Sequence, residues 1–219
     1  MNKTAWFLFP AVLAVVAGCA AIATGGANAE LERQTREMLL TGFHDHGIAK
    51  MDRITAIDDT IQACNAADIA GKLLDEATDR RLQEENYKTI QWPSDGKFLG
   101  DWKKGEVLAQ SGRGQTWSDD AKTPNGGNCY NCHQITKQEI SFGTLGISLY
   151  QYGKLRGVTD PDSPEARPVL ENAWAKLWNA KATNACSNMP RFGHMGNLTE
   201  QEIRDIMALL LDPRSPVNQ

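Results

Sequence analysis

The chain reads as all-α. Three observations predict this: apolar residues recurring at helical spacing, capping residues where those runs begin, and no β-hairpin signal anywhere in 219 residues. The clearest element is the last. Thr199-Glu200-Gln201-Glu202 is a capping box, with Leu198 placed to pack on Ile203 one turn in. Ile203, Ile206, Met207 and Leu210 share one face, and Asp212-Pro213 ends the run.

The remaining elements follow from the N-terminus. Asn2-Lys3 is a short basic start, Trp6 to Ala23 is almost wholly apolar, and Ala27-Asn28-Ala29 is an A-x-A cleavage signal. Residues 1–29 therefore read as a secretory signal peptide, to be left out of the fold. Two alternatives stand beside it. The apolar run is at the short end of a membrane-spanning anchor. Val16-Ala17-Gly18-Cys19 has the form of a lipoprotein signal, in which a lipidated Cys19 would attach the chain to a membrane. The polar stretch from Thr24 to Ala29 favours cleavage after Ala29. That leaves 190 of the 219 residues and moves the net charge from −4 to −5, since only Lys3 is lost. A mildly acidic chain of this size suits one domain plus an extension and gives no basis for a nucleic-acid partner.

Residues 30–95 predict a helical extension. Leu31, Met38, Leu39 and Ile48 lie among charges, and Ile61, Ile69, Leu73 and Leu74 follow at approximate helical spacing. Trp92-Pro93 and Asp95-Gly96 break the pattern and set the boundary to a domain over residues 96–219. Asp101 is an N-cap for a helix running to about Ser111. Residues 113–128 form a polar connection, and glycines mark turns from Ile140 to Gly157. Ser163-Pro164 begins a further helix with the apolar stripe Val169, Leu170, Ala173, Trp174, Leu177 and Trp178.

One motif carries the chemistry. Cys129-Tyr130-Asn131-Cys132-His133 is C-x-x-C-H, the attachment sequence of c-type haem. Two thiols three positions apart, on one turn of helix, reach the two vinyl groups at one porphyrin edge. The adjacent histidine supplies an axial nitrogen to the iron. A zinc site is the alternative, but adjacent Cys132 and His133 are poorly placed on one tetrahedral ion, and no second C-x-x-C exists. The sixth iron position falls to Met189, on a loop stiffened by Pro190, with His194 and Met195 as rivals. His/Met ligation suits electron transfer.

Of five cysteines, Cys19 leaves with the signal and two go to haem. Cys64 and Cys186 remain, and an even remainder in an exported chain suggests a disulfide, with two separate buried thiols as the alternative. Trp174 and Trp178 read as core. Trp102 and Trp117 face haem or a partner, and Arg191 meets a haem propionate or the surface. His44-Asp45-His46 reads as a solvated turn. No pair of carboxylates is arranged for acid–base catalysis.

The order helix, C-x-x-C-H, glycine-rich loop, helix, Met-Pro loop, capped helix, from about Gly96 to Asp212, resembles class I cytochrome c. Five strings sharpen the likeness: Asp101-Trp102-Lys103-Lys104-Gly105-Glu106, Ala109-Gln110-Ser111-Gly112-Arg113-Gly114, Gly143-Thr144-Leu145-Gly146, Leu149-Tyr150-Gln151-Tyr152-Gly153-Lys154-Leu155-Arg156-Gly157 and Met189-Pro190-Arg191-Phe192-Gly193. In this order they resemble the SoxX subunits of the SoxAX cytochromes of bacterial sulfur oxidation, whose longer members also have an extension like the one carrying Cys64. The resemblance implies one covalent haem c on Cys129 and Cys132, with His133 and Met189 as axial ligands. It implies a periplasmic location and a SoxA-type partner that holds the catalytic centre of an L-cysteine S-thiosulfotransferase. That complex conjugates thiosulfate to a cysteine of a SoxYZ-type carrier, and this chain passes the electrons to a soluble cytochrome. A free-standing periplasmic electron carrier and a haem sensor with an open iron are the alternatives. One position departs from the class I pattern: Ile147 stands where proline is usual, in the loop whose carbonyl receives the proximal histidine N–H.

Overall fold

A computed structural model of the chain describes residues 29–219 apart from 46–49, 115, 117 and 121, and only the backbone of Arg53. The apolar leader with Cys19, and Trp117 and His46, lie outside the described residues. Two compact units divide at Asp45. Among its described residues the first contains one helix, α1, over residues 29–42. Its Arg33 pairs with Glu30 at 2.7 Å and Glu37 at 2.9 Å, the i,i+3 and i,i+4 spacings that support an isolated helix.

The second unit is all-α, as the sequence predicts, and no strand occurs among the described residues. It runs through α2 (Asp52–Thr55), α3 (Asp59–Ile69), α4 (Glu76–Tyr87), α5 (Trp102–Gln110), α6 (Arg167–Asn179) and α7 (Glu200–Leu211), with short 3₁₀ turns between. Asp58 caps α3 by accepting the Ile61 N–H, and Asp75 caps α4 by accepting that of Thr78. The stretch expected to be largely helical is thus divided by its own capping aspartates. Asp101 caps α5 as expected, through the N–H of Lys103. Helix α6 begins at Arg167, three residues after Pro164, because residues 161–166 close as turns first.

The tightest pairing is α5 on α7. A Cβ on Gly105 would stand 2.0 Å from the Asp205 carbonyl oxygen, so only glycine permits this approach. The buried Asp205 carboxylate accepts the Asp101 N–H at 2.8 Å, and Gly100 N–H donates to the Arg204 carbonyl. The capping box of α7 forms, and Leu198 and Ile203 are both buried. Trp174 and Trp178 stack in the core, as predicted, with centroids 6.0 Å apart. Their indole N–H groups donate to the carbonyls of Gln91 and Thr89. Asn86 of α4 donates to Thr60 of α3 and accepts from Asn179 of α6, so a buried polar chain joins the three helices. The extension from α3 onward therefore belongs to the same compact unit as the C-x-x-C-H motif.

Candidate haem site

The motif sits just after the polar connection from α5. Gly127 N–H donates to the Leu108 carbonyl at 2.7 Å and Asn128 N–H to that of Ser111 at 2.9 Å. Asn128 adopts φ 49°, a left-handed conformation asparagine tolerates. The chain then makes one turn of 3₁₀ helix over Cys129–Asn131. The Cys129 carbonyl accepts from both Cys132 N–H (3.1 Å) and His133 N–H (2.9 Å), so one oxygen curls all three residues together. Tyr130 is buried and its hydroxyl meets that of Thr136, which fixes the outer side of the turn in the core. Burial pushes the Cys129 thiol up to about 12. It is thus a neutral thiol, and conversion to a thioether abolishes its ionisation.

A second strand of backbone runs beside the motif. Gly143 N–H donates to the Tyr130 carbonyl and Gly146 N–H to that of Cys132, each at 2.8 Å. This brings the Ile147 carbonyl to 2.7 Å from His133 Nδ1. A carbonyl only accepts, so Nδ1 carries the proton and Nε2 keeps its lone pair for a metal. Ile147 in place of proline leaves this bond intact, because the bond uses the carbonyl and not the side chain. Gly146 lies flat against the ring: a Cβ there would come within 2.1 Å of His133 Cε1.

Opposite in sequence, the loop 184–196 carries the expected sixth ligand. Met189 is half-buried and packed on the hydrophobic core, whereas Met195 is 44% exposed. Met189 N–H donates to Ser187 Oγ at 3.2 Å. His194 donates its main-chain N–H to the Trp178 carbonyl, and its imidazole is pushed below the ordinary value, first by partial burial and then by Arg191. Cys64 and Cys186 form a disulfide, with Cα atoms 5.5 Å apart. Arg191 does not sit at the surface. It is buried and pairs with Asp58 at 2.6 Å, the residue that caps α3. Burial works to raise the Asp58 pKa, but the Ile61 N–H and Arg191 outweigh it and hold the carboxylate low. Lys181, lowered by its own burial and by Arg191, donates to the carbonyls of Ala185 and Ser187.

Residues 111–212 match the family Cytochrome c. The chain contains a cytochrome c domain. It is also 38% identical over 168 residues to an uncharacterized lipoprotein of Aquifex aeolicus (strain VF5), covering 76% of this chain and 75% of that protein. At that identity and coverage the two chains belong to one family. A cytochrome c domain carries covalent haem c and transfers electrons, and the residues present fit that group. Two thiols and an imidazole sit on one turn, the imidazole is held with Nε2 free, and apolar Leu145 and Ile147 stand exposed on the loop beside it. Among the described residues no cluster of three or more His, Cys, Asp or Glu side chains is set to hold a metal ion. No described helix is long and apolar enough to cross a membrane.

Sequence reasoning missed Asp58 and Lys181. The only local signal for Asp58 was its place as an N-cap, which says nothing of a cation 133 residues away.

Proposed function

We propose that this cytochrome c is a monohaem electron-transfer subunit that works beside a SoxA-type cytochrome in the oxidative conjugation of thiosulfate to a SoxYZ-type carrier cysteine. In this reading Cys129 and Cys132 carry the thioethers, His133 is the proximal ligand and Met189 the distal one. The observation that carries electron transfer is the His133 Nδ1–H bond to the Ile147 carbonyl. It fixes the imidazole's tautomer and orientation and raises its basicity, which steadies the ligand between two iron oxidation states. The haem, when bound, accepts and releases one electron. The protein's residues hold its ligands and keep water and other donors away.

The sulfur role is supported by the five ordered strings shared with SoxX subunits. The division of labour within that role is supported by the cysteines: among the described residues Cys129 and Cys132 are the only ones outside a disulfide, and both belong to the haem motif. A nucleophilic thiolate for thiosulfate transfer must then come from a partner. The chain is exported in this reading, because thioether assembly and the disulfide both belong to an oxidising compartment. The lipoprotein relative supports lipidation at Cys19 as the mode of attachment, against cleavage after Ala29. The mass of the mature N-terminus distinguishes the two.

Copurification tests the function. The chain drawn from its own cells should bring a second c-type cytochrome, and thiosulfate plus carrier should reduce its haem only with that partner present. A chain isolated alone, reducible by small donors yet indifferent to thiosulfate under every combination, would instead be a free-standing carrier.

A further inference from the structure

The loop that carries Met189 is gripped on both sides by one helix that the haem motif itself does not require. Three residues before Met189, Cys186 is bonded to Cys64 in the middle of α3. Two residues after it, Arg191 is bonded to Asp58 at the start of α3. The Arg191 side chain is 9% exposed and that of Asp58 40%, so the cation is buried while the carboxylate still reaches water. Helix α3 is itself fastened: Thr60 accepts from Asn86 of α4, and Asn86 accepts from Asn179 at the end of α6, from which the loop departs. The loop also has contacts of its own: Met189 packs on the core, Phe192 is buried, His194 N–H donates to the Trp178 carbonyl, and the Lys181 ammonium reaches the carbonyls of Ala185 and Ser187.

We propose that α3 is the positioning element for the sixth iron ligand, with Asp58 and Cys64 as positioning residues that hold Met189 against the iron through Arg191 and Cys186. This rests on the assignment of Met189 as that ligand. An axial thioether is a weak, neutral donor, and a free loop of a dozen residues samples many states in which it is displaced. Two attachments five residues apart remove most of them. The N-terminal extension then has a function in electron transfer: it keeps the iron six-coordinate in both oxidation states, so little has to rearrange when an electron moves.

Asp58→Asn separates this role from a merely structural one. Asparagine caps a helix about as well as aspartate, so α3 keeps its N-cap while Arg191 loses its counter-charge. The measurements are made on the purified full-length holoprotein: the red charge-transfer band of Met-ligated ferric haem, and carbon monoxide binding to the ferrous form. Asp58→Asn should weaken the band and raise the carbon monoxide-accessible fraction by about tenfold, equivalent to about 1.4 kcal/mol of loop closure. The double variant Cys64→Ser/Cys186→Ser should raise it further, and Asp58→Glu should restore much of the loss. Thr199→Ala removes a cap of α7 away from these attachments. It should lower the melting temperature without changing either haem signal, which separates positioning from general destabilisation. If Met189→Ala opens the iron but Asp58→Asn and the cysteine double variant leave band and binding as in the parent, the positioning role is overturned and the ligand assignment stands. If Met189→Ala leaves the band intact, both are overturned.

Discussion

His133 is held from fourteen residues away, by a backbone carbonyl, and from its own turn. The loop around Met189 is held from 122 and 133 residues away, by a disulfide and an ion pair whose cation is buried. The two sides of one site thus use opposite kinds of support. The first is local backbone geometry, formed as soon as the chain from Ser111 to Leu149 folds on itself. The second requires α3, α4 and α6 to be in place already. A local support tolerates changes elsewhere in the protein but is intolerant of added volume. A remote support tolerates changes of volume but fails when either end is cut.

The largest expected effect tests the remote support. In the chain-entropy model a disulfide spanning 122 residues contributes about 5 kcal/mol. Cys64→Ser/Cys186→Ser should therefore lose several kcal/mol in chemical denaturation followed by far-UV circular dichroism, with haem still covalently attached. Attachment that fails together with stability would show that the two sides are not independent.

Gly146→Val tests the local support. Its side chain would enter the space of the His133 ring, and overpacking of this kind costs about 1–3 kcal/mol. The expected result is a displaced imidazole, read as loss of the low-spin Soret and visible bands, while the 64–186 bridge still forms in non-reducing peptide maps. An unchanged spectrum would mean that the ring's place is set by something other than the Gly146 contact.

The same contrast explains what was legible in the sequence. C-x-x-C-H, the Asp101 cap and the capping box at Thr199 are local patterns, and the structure places each where the pattern does. The Ile147 carbonyl was legible only through the resemblance to class I cytochrome c, and isoleucine in place of proline left that bond open until the structure placed it. Cys64 and Cys186 could be paired by counting, because only two cysteines were left over. Arg191 had no such arithmetic. Nothing in Met189-Pro190-Arg191 marks Asp58 as its partner, so the long-range pair that takes Arg191 away from the surface was not legible. The division of residues 30–80 into separate helices was visible in Asp58 and Asp75, whose capping role outweighs a weak helical periodicity.

Asn86→Ala sharpens the comparison at an intermediate level. It removes the shared centre of the α3–α4–α6 network, taking the amide donor from Thr60 and one of the acceptors from Asn179, which keeps Thr89 Oγ1. The cost should be about 1–3 kcal/mol in global stability. Because the network seats α3, the red charge-transfer band should also weaken, by less than in Asp58→Asn. A stability loss with no change in that band would show that α3 holds the loop even when its own seat is loosened.

The smallest effect comes from the other long-range Arg–Asp pair. Arg204 of α7 meets Asp95 at 2.8 Å, across 109 residues, but the Asp95 side chain is half exposed. Arg204 first, and the Lys97 N–H second, hold the Asp95 carboxyl down at about 2, against an ordinary value of 3.8. A carboxylate lowered on folding stabilises the native state where it is ionised in both states. That contribution is complete above the unfolded value and is lost as pH falls through the folded one. The stability difference between the parent and Asp95→Asn should thus be flat from neutrality down to about pH 5 and close between about pH 4 and pH 2. Salt should shrink it throughout, because water and ions reach the pair. Asp58→Asn supplies a parallel: Arg191 and Asp58 are 9% and 40% exposed, close to the 13% and 50% of Arg204 and Asp95, so salt should also shrink its effect on carbon monoxide binding. A salt-independent effect of Asp58→Asn would mean that Arg191 is held by more than the charge of Asp58.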